Sequence, residues 1–248
     1  MEYVGDMNLQ PELRILVNEI EALTKSPIRL RARTDDDLHV VADASLPICD
    51  CNMVNGKMDV SIALPAEFEM PEHTLYHELL HAHRNICLSI PRLAPRQANP
   101  AGYRLACGMD NDVEHLFIIP EEIRFAPQAT GYWHQHYDQK ITTLAAEKPV
   151  SPMDKLAHRN SLLSLQVITS ICLPEWGGAA EAQAVIASHK YAFEADTLLS
   201  KVRLAIPSKV NCLSAFFRFS KLPPEMFCTS RFLVAEGRID YLPLPQPQ

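Results

Sequence analysis

The tightest constraint on this chain is a helix that must bury one side while carrying two histidines and a glutamate. Leu75, Leu79, Leu80, Ala82, Ile86 and Leu88 recur at helical spacing through residues 71 to 89. Met70-Pro71-Glu72 opens the segment, with proline at a favoured first-turn position and an acid suited to a helix N-terminus. On this helix His77, Glu78 and His81 spell His-Glu-Leu-Leu-His. A four-residue step puts both imidazoles on one face about one turn apart, where they can share a divalent metal. On a half-buried helix their ring nitrogens need partners, and a metal ion satisfies two at once.

Two neutral imidazoles and one oxygen ligand leave zinc a fourth position for water, whose pKa falls to about 7. Glu78 then lies beside the ion as a base able to take the proton of that water during attack on a carbonyl. The motif resembles that of the zincin metallopeptidases, which are built around it on an active-site helix. The resemblance covers residues 71 to 89 strongly, and the upstream strands and the segment near residue 114 more weakly. It does not extend to the metzincin pattern, which wants glycine three and histidine six residues after the second ligand; those places hold Arg84 and Cys87.

The third ligand therefore has to come from elsewhere, and Glu114, in Gly108-Met109-Asp110-Asn111-Asp112-Val113-Glu114-His115-Leu116, is the candidate. Asp110 or Asn111 can cap a helix there, Val113, Leu116 and Phe117 give it an apolar side, and Pro120 is expected to end it or start another. Gluzincins resemble this arrangement, with a glutamate on a second helix completing the site and a nearby acid orienting a ligand histidine. Asp110 or Asp112 matches that second part. His115 is the rival ligand, and Asp110 or Asp112 as ligand would make the site aspzincin-like. For the oxyanion, the segment Tyr132-Trp133-His134-Gln135-His136-Tyr137 is the densest source of donors. His134 is taken as the candidate, with Tyr132, His136 and Tyr137 as alternatives. His83 and Arg84 are further candidates for substrate contact.

The pattern predicts an amphipathic helix over residues 9 to 25, from Leu13, Leu16, Val17, Ile20 and Leu23. Four strand-like runs follow at Ile28 to Thr34, Leu38 to Ala42, Ile48 to Met53 and Met58 to Leu64, with turns at Asp35-Asp36-Asp37 and Asn55-Gly56. Met58 to Leu64 is the expected edge strand, and in zincins such an edge pairs with an extended substrate peptide. The prolines of Ile90 to Pro100 predict a loop. Beyond residue 150 the pattern turns helical, with helices expected at Lys155 to Cys172, within Ala179 to Val202, and at Ser208 to Phe219. The Pro-rich tail from Leu242 to Gln248 is expected to be extended. The expected fold is α+β and zincin-like: a small N-terminal sheet and active-site helix in residues 1–150, then a helical lobe in 151–248 forming the other side of the cleft.

A net charge of −7 without a basic cluster argues against nucleic acid or an anionic membrane as partner. Seven cysteines in apolar surroundings suit reduced thiols, and Met-Glu-Tyr-Val-Gly-Asp lacks the charged and apolar regions of a signal peptide. A cytoplasmic protein, or one delivered to a target cell without a standard signal, is expected. Cys49 and Cys51, one residue apart, could bind metal but have no second pair at matching spacing, and read as structural. The chemistry expected is zinc-dependent hydrolysis of a peptide or protein. The alternatives are a non-catalytic binding or sensor module and a hydrolase of a non-peptide amide or ester.

Overall fold

The computed structural model describes residues 2–34, 46–97 and 100–244. The expected strand Leu38 to Ala42, the turn before it and the last four residues of the tail lie outside the described residues. The fold is mixed α and β, with eight α-helices and two small sheets among the described residues. None of these helices is long and apolar enough to cross a membrane.

The chain divides into two compact units. The first contains residues up to Gly108 together with Glu225–Leu244; the second contains Met109–Pro224. The division therefore falls at residue 108 rather than near 150, and a C-terminal segment returns to the first unit.

In the first unit, β1 (Glu2–Tyr3), β2 (Arg29–Ala32), β3 (Ile48–Val54) and β4 (Lys57–Leu64) form a sheet of order β1-β2-β4-β3. β2 runs parallel to β4, and β3 and β4 form an antiparallel hairpin. The hairpin turns at Asn55 and Gly56, which both take positive φ, as a tight two-residue turn requires. β4 is central, not the edge expected from its sequence; among the described residues β3 holds that place. Burial explains the difference. Val60, Ser61, Ile62 and Ala63 are all buried, a run that reads as a strand covered on both faces rather than an alternating edge.

Two helices belong to the same unit. α1 (Pro11–Thr24) buries Leu13, Leu16, Val17 and Ile20 and packs against α2 (Glu72–Ile86). Its Glu19 pairs with His83 of α2 at 2.7 Å, so His83, a candidate for substrate contact, serves helix packing. β5 (Arg92–Pro95) lies in the segment expected to be a loop. It is an edge strand of a second sheet, β5-β6-β7, with β6 (Phe227–Leu233) and β7 (Arg238–Leu242). An edge tolerates Pro95, which needs no donor on its outer side. The two C-terminal strands were not expected; Cys228, Thr229 and Ser230 are all buried, so β6 lacks the alternation that marks a half-buried strand.

α3 (Pro100–Phe125) runs through the division between the units. It starts ten residues before the expected caps, so Asp110 and Asn111 are interior, and it continues past Pro120. Losing one backbone bond at a proline costs about 3 kcal/mol in a helix interior. Here Val113, Leu116, Ile118 and Ile119 are buried around it, and that packing holds the helix together.

The second unit adds α4 (Ala129–Ala146), α5 (Pro152–Cys172), α6 (Ala179–Ser188), α7 (Ala192–Ala205) and α8 (Lys209–Ser220). α5 begins with a reciprocal cap: Asp154 N–H donates to Ser151 Oγ at 3.0 Å, and Ser151 N–H donates to Asp154 Oδ2 at 3.1 Å. The alanine-rich stretch breaks into α6 and α7 at Lys190, which is left-handed at φ 64°. Arg159 of α5, 4% exposed, donates to Glu194 of α7 and to the Phe219 carbonyl at 2.6 Å, tying three helices together.

Burial raises the Glu194 pKa, but the Arg159 guanidinium and Lys221 outweigh it and hold the carboxyl below its ordinary value. A depressed folded-state pKa contributes stability that is present above the unfolded value of about 4.3 and lost as pH falls through the folded one. Glu194→Gln should therefore flatten the pH dependence of unfolding free energy in that acidic window, as read by urea titrations at several pH values. A second expectation concerns Gly237, at φ 63°, where an added Cβ would sit 2.7 Å from the Gly56 carbonyl oxygen. Gly237→Ala should cost about 2 kcal/mol or more in denaturant unfolding, from left-handed strain plus displacement of the β3–β4 turn.

Candidate metal centre

α2 carries the motif, and its burial goes beyond one face. Every residue from Thr74 to Leu80 is buried, including His77 and Glu78 at 7% exposure each. His81, one turn on, is half-buried. The His77 and His81 Nε2 atoms lie 3.1 Å apart with the rings edge to face. Two ligands of one tetrahedral ion at bonds of about 2.0 Å are separated by about 3.3 Å, so the pair already has the spacing of two metal donors.

Glu78 sits one position after the first of these imidazoles. Its Oε2 accepts the backbone N–H of Cys49 at 2.8 Å, which fixes the carboxylate against β3. The strand that holds Glu78 is thus an edge among the described residues.

His77 and His81, both in the first unit, each offer one ring nitrogen to a shared ion. The two third-ligand candidates from the sequence, Glu114 and His115, both lie on α3 in the second unit. Glu114 is 1% exposed, and its Oε2 lies 2.8 Å from Lys209 Nζ. Lys209, 4% exposed on α8, also meets Asp110 at 3.1 Å. Adjacent residues on a helix point about 100° apart, so one of Glu114 and His115 can turn to the buried lysine while the other turns away. Asp110 thus serves Lys209, and Asp112 lies 3.8 Å from Lys140.

The aromatic segment lies on α4 and packs within its own unit. Trp133, 3% exposed, donates from Nε1 to Glu122 Oε2 at 2.9 Å and sets its ring edge against His115, centroids 5.3 Å apart. Tyr137 is buried against Trp133 and Trp176, and that burial pushes its phenol well above the usual range, which makes it core. Tyr132 and His136 stack on each other and contact Trp133. His134 is half-buried and lies in the second unit.

Three participants escaped the sequence. Lys209 follows a helix cap in an apolar run and gives no sign of being buried. The Cys49 N–H is a backbone group with no residue signature. Trp133 stood inside the aromatic segment, but nothing in its spacing tied it to His115.

The chain matches no protein-family model, no curated protein and no solved structure.

Removing the cation from the Lys209 network would leave two carboxylates in an apolar interior. Lys209→Met should therefore destabilise the protein by about 3–5 kcal/mol. The triple variant with Asp110→Asn and Glu114→Gln should regain much of that loss in urea unfolding, because the stranded charges are gone.

Proposed function

We propose that this protein is a zinc-dependent metallopeptidase in which His77 and His81 hold the ion and Glu78 is the general base. The observation that supports it most is the 3.1 Å approach of the two motif imidazoles on a buried helix, with Glu78 fixed beside them. Imidazole nitrogens suit zinc, and with one further protein ligand they would leave a fourth position open, the donor count of catalytic rather than structural sites. Bound there, the ion would act as a Lewis acid and bring the pKa of a coordinated water to about 7.

The remaining work falls to this chain's own groups. The Cys49 N–H donates to Oε2 of Glu78, which orients the carboxylate to take the proton of the attacking water. The same carboxylate then delivers that proton to the departing amine. A carboxylate next to a ligand has little purpose in a site that only supports folding. β3 suits an extended peptide, which can lie along an edge strand by main-chain hydrogen bonds while its scissile carbonyl faces Glu78. A substrate of that kind makes an endopeptidase the best-supported reading.

Elemental analysis of the purified chain should find about one zinc per molecule, lost in His81→Ala. Glu78→Gln should stay folded and metal-loaded while hydrolysis of a peptide library falls by about 10²–10⁴-fold. Undiminished turnover by Glu78→Gln, or a wild-type chain that takes up no zinc, overturns the assignment.

A further inference from the structure

Cys49 and Cys51 project from the same side of β3, two residues apart, with their sulfurs 3.8 Å from one another. The reading of the motif helix uses the Cys49 backbone but neither thiol. Cys51 is 6% exposed, and Cys49 is half-buried.

We propose that Cys49 and Cys51 form a two-coordinate site for a soft monovalent ion of the copper(I) class. One thiol donates its S–H to the other sulfur, and an ion bound by both as thiolates would release the two thiol protons to solvent and sit between the same two atoms. Linear coordination needs a sulfur separation of about twice a metal–sulfur bond of about 2.3 Å, so the thiols have to part by less than about 1 Å. Rotation of two side chains supplies that without moving the strand.

A disulfide is the competing fate, and the strand opposes it. Its sulfurs would have to close to about 2.05 Å. Residues two apart on a strand hold their Cα atoms about 6.6–6.8 Å from each other, the far limit of disulfide geometry. The ladder pairs Cys49 with Ile62 and Cys51 with Val60, which keeps β3 extended at both positions. Donor count then selects the ion. Among the described residues neither thiol belongs to a group of three donors, so zinc lacks its tetrahedral shell there, whereas thiolates favour copper(I). Asp50 and Glu78 act on Cys49 with the sign that favours a nearby cation.

Anaerobic titration of the full chain with copper(I) held by a competing chelator tests this. One equivalent should bind with excess zinc present, and X-ray absorption should show two sulfur neighbours alone. Cys49→Ser and Cys51→Ser should each weaken uptake at least about 100-fold, while His81→Ala binds as wild type, which separates this site from the histidine group. If the serine variants do not fold, wild-type protein loaded with copper(I) is alkylated and mapped by mass spectrometry, and Cys49 and Cys51 should be the protected thiols. Wild-type affinity in either serine variant, three or more ligands in the absorption spectrum, or protection of other cysteines overturns the proposal.

Discussion

The arrangement around the motif depends on one constraint: α2 is buried on nearly every side from Thr74 to Leu80. A helix so enclosed cannot leave an imidazole or a carboxylate to water, and a buried polar group without a partner costs about 1–3 kcal/mol. His77 answers this through His81, and Glu78 through the Cys49 N–H. Leu75, Leu79 and Ile86, all but fully buried, fix the rotation of the helix, and that rotation decides which polar groups meet. Packing thus sets the geometry of the site, and the polar contacts select one arrangement among those that packing allows.

The same rule acts on Glu114 and His115. An ammonium group in an apolar interior needs anionic partners. Asp110 and Glu114 stand one turn apart on α3, and both meet Lys209. His115 turns to the edge of Trp133, whose own orientation is held by Glu122. Electrostatics inside the second unit therefore spends the acids of this segment on structure.

Periodic features were legible from the sequence. α1 and α2 follow the expected helical spacing, the Asn55-Gly56 hairpin stands where its turn residues put it, and Ser151 caps α5. What escaped depends on partners distant in the chain. The central position of β4 follows from β2 pairing along it, which no local alternation encodes. β5 exists because β6, more than 130 residues later, supplies its ladder, and a Pro-rich run looks like a loop until that partner arrives. Pro120 is expected to end that helix or start another because its local cost is known, while the burial that offsets it is not visible locally. The motif helix could be read because its spacing is local; the pairing of Glu114 could not, because it turns on a lysine 95 positions downstream.

On the proposed reading, the buried helix would also favour affinity. His77 and His81 are held at ligand spacing by α2 itself, so binding an ion there would immobilise little further side-chain freedom. Glu78 is held by a different element, through the Cys49 N–H of β3. The spacing of the imidazoles therefore depends on the helix, and the orientation of the carboxylate depends on the strand. A shift of β3 would disturb Glu78 while leaving the imidazole pair intact.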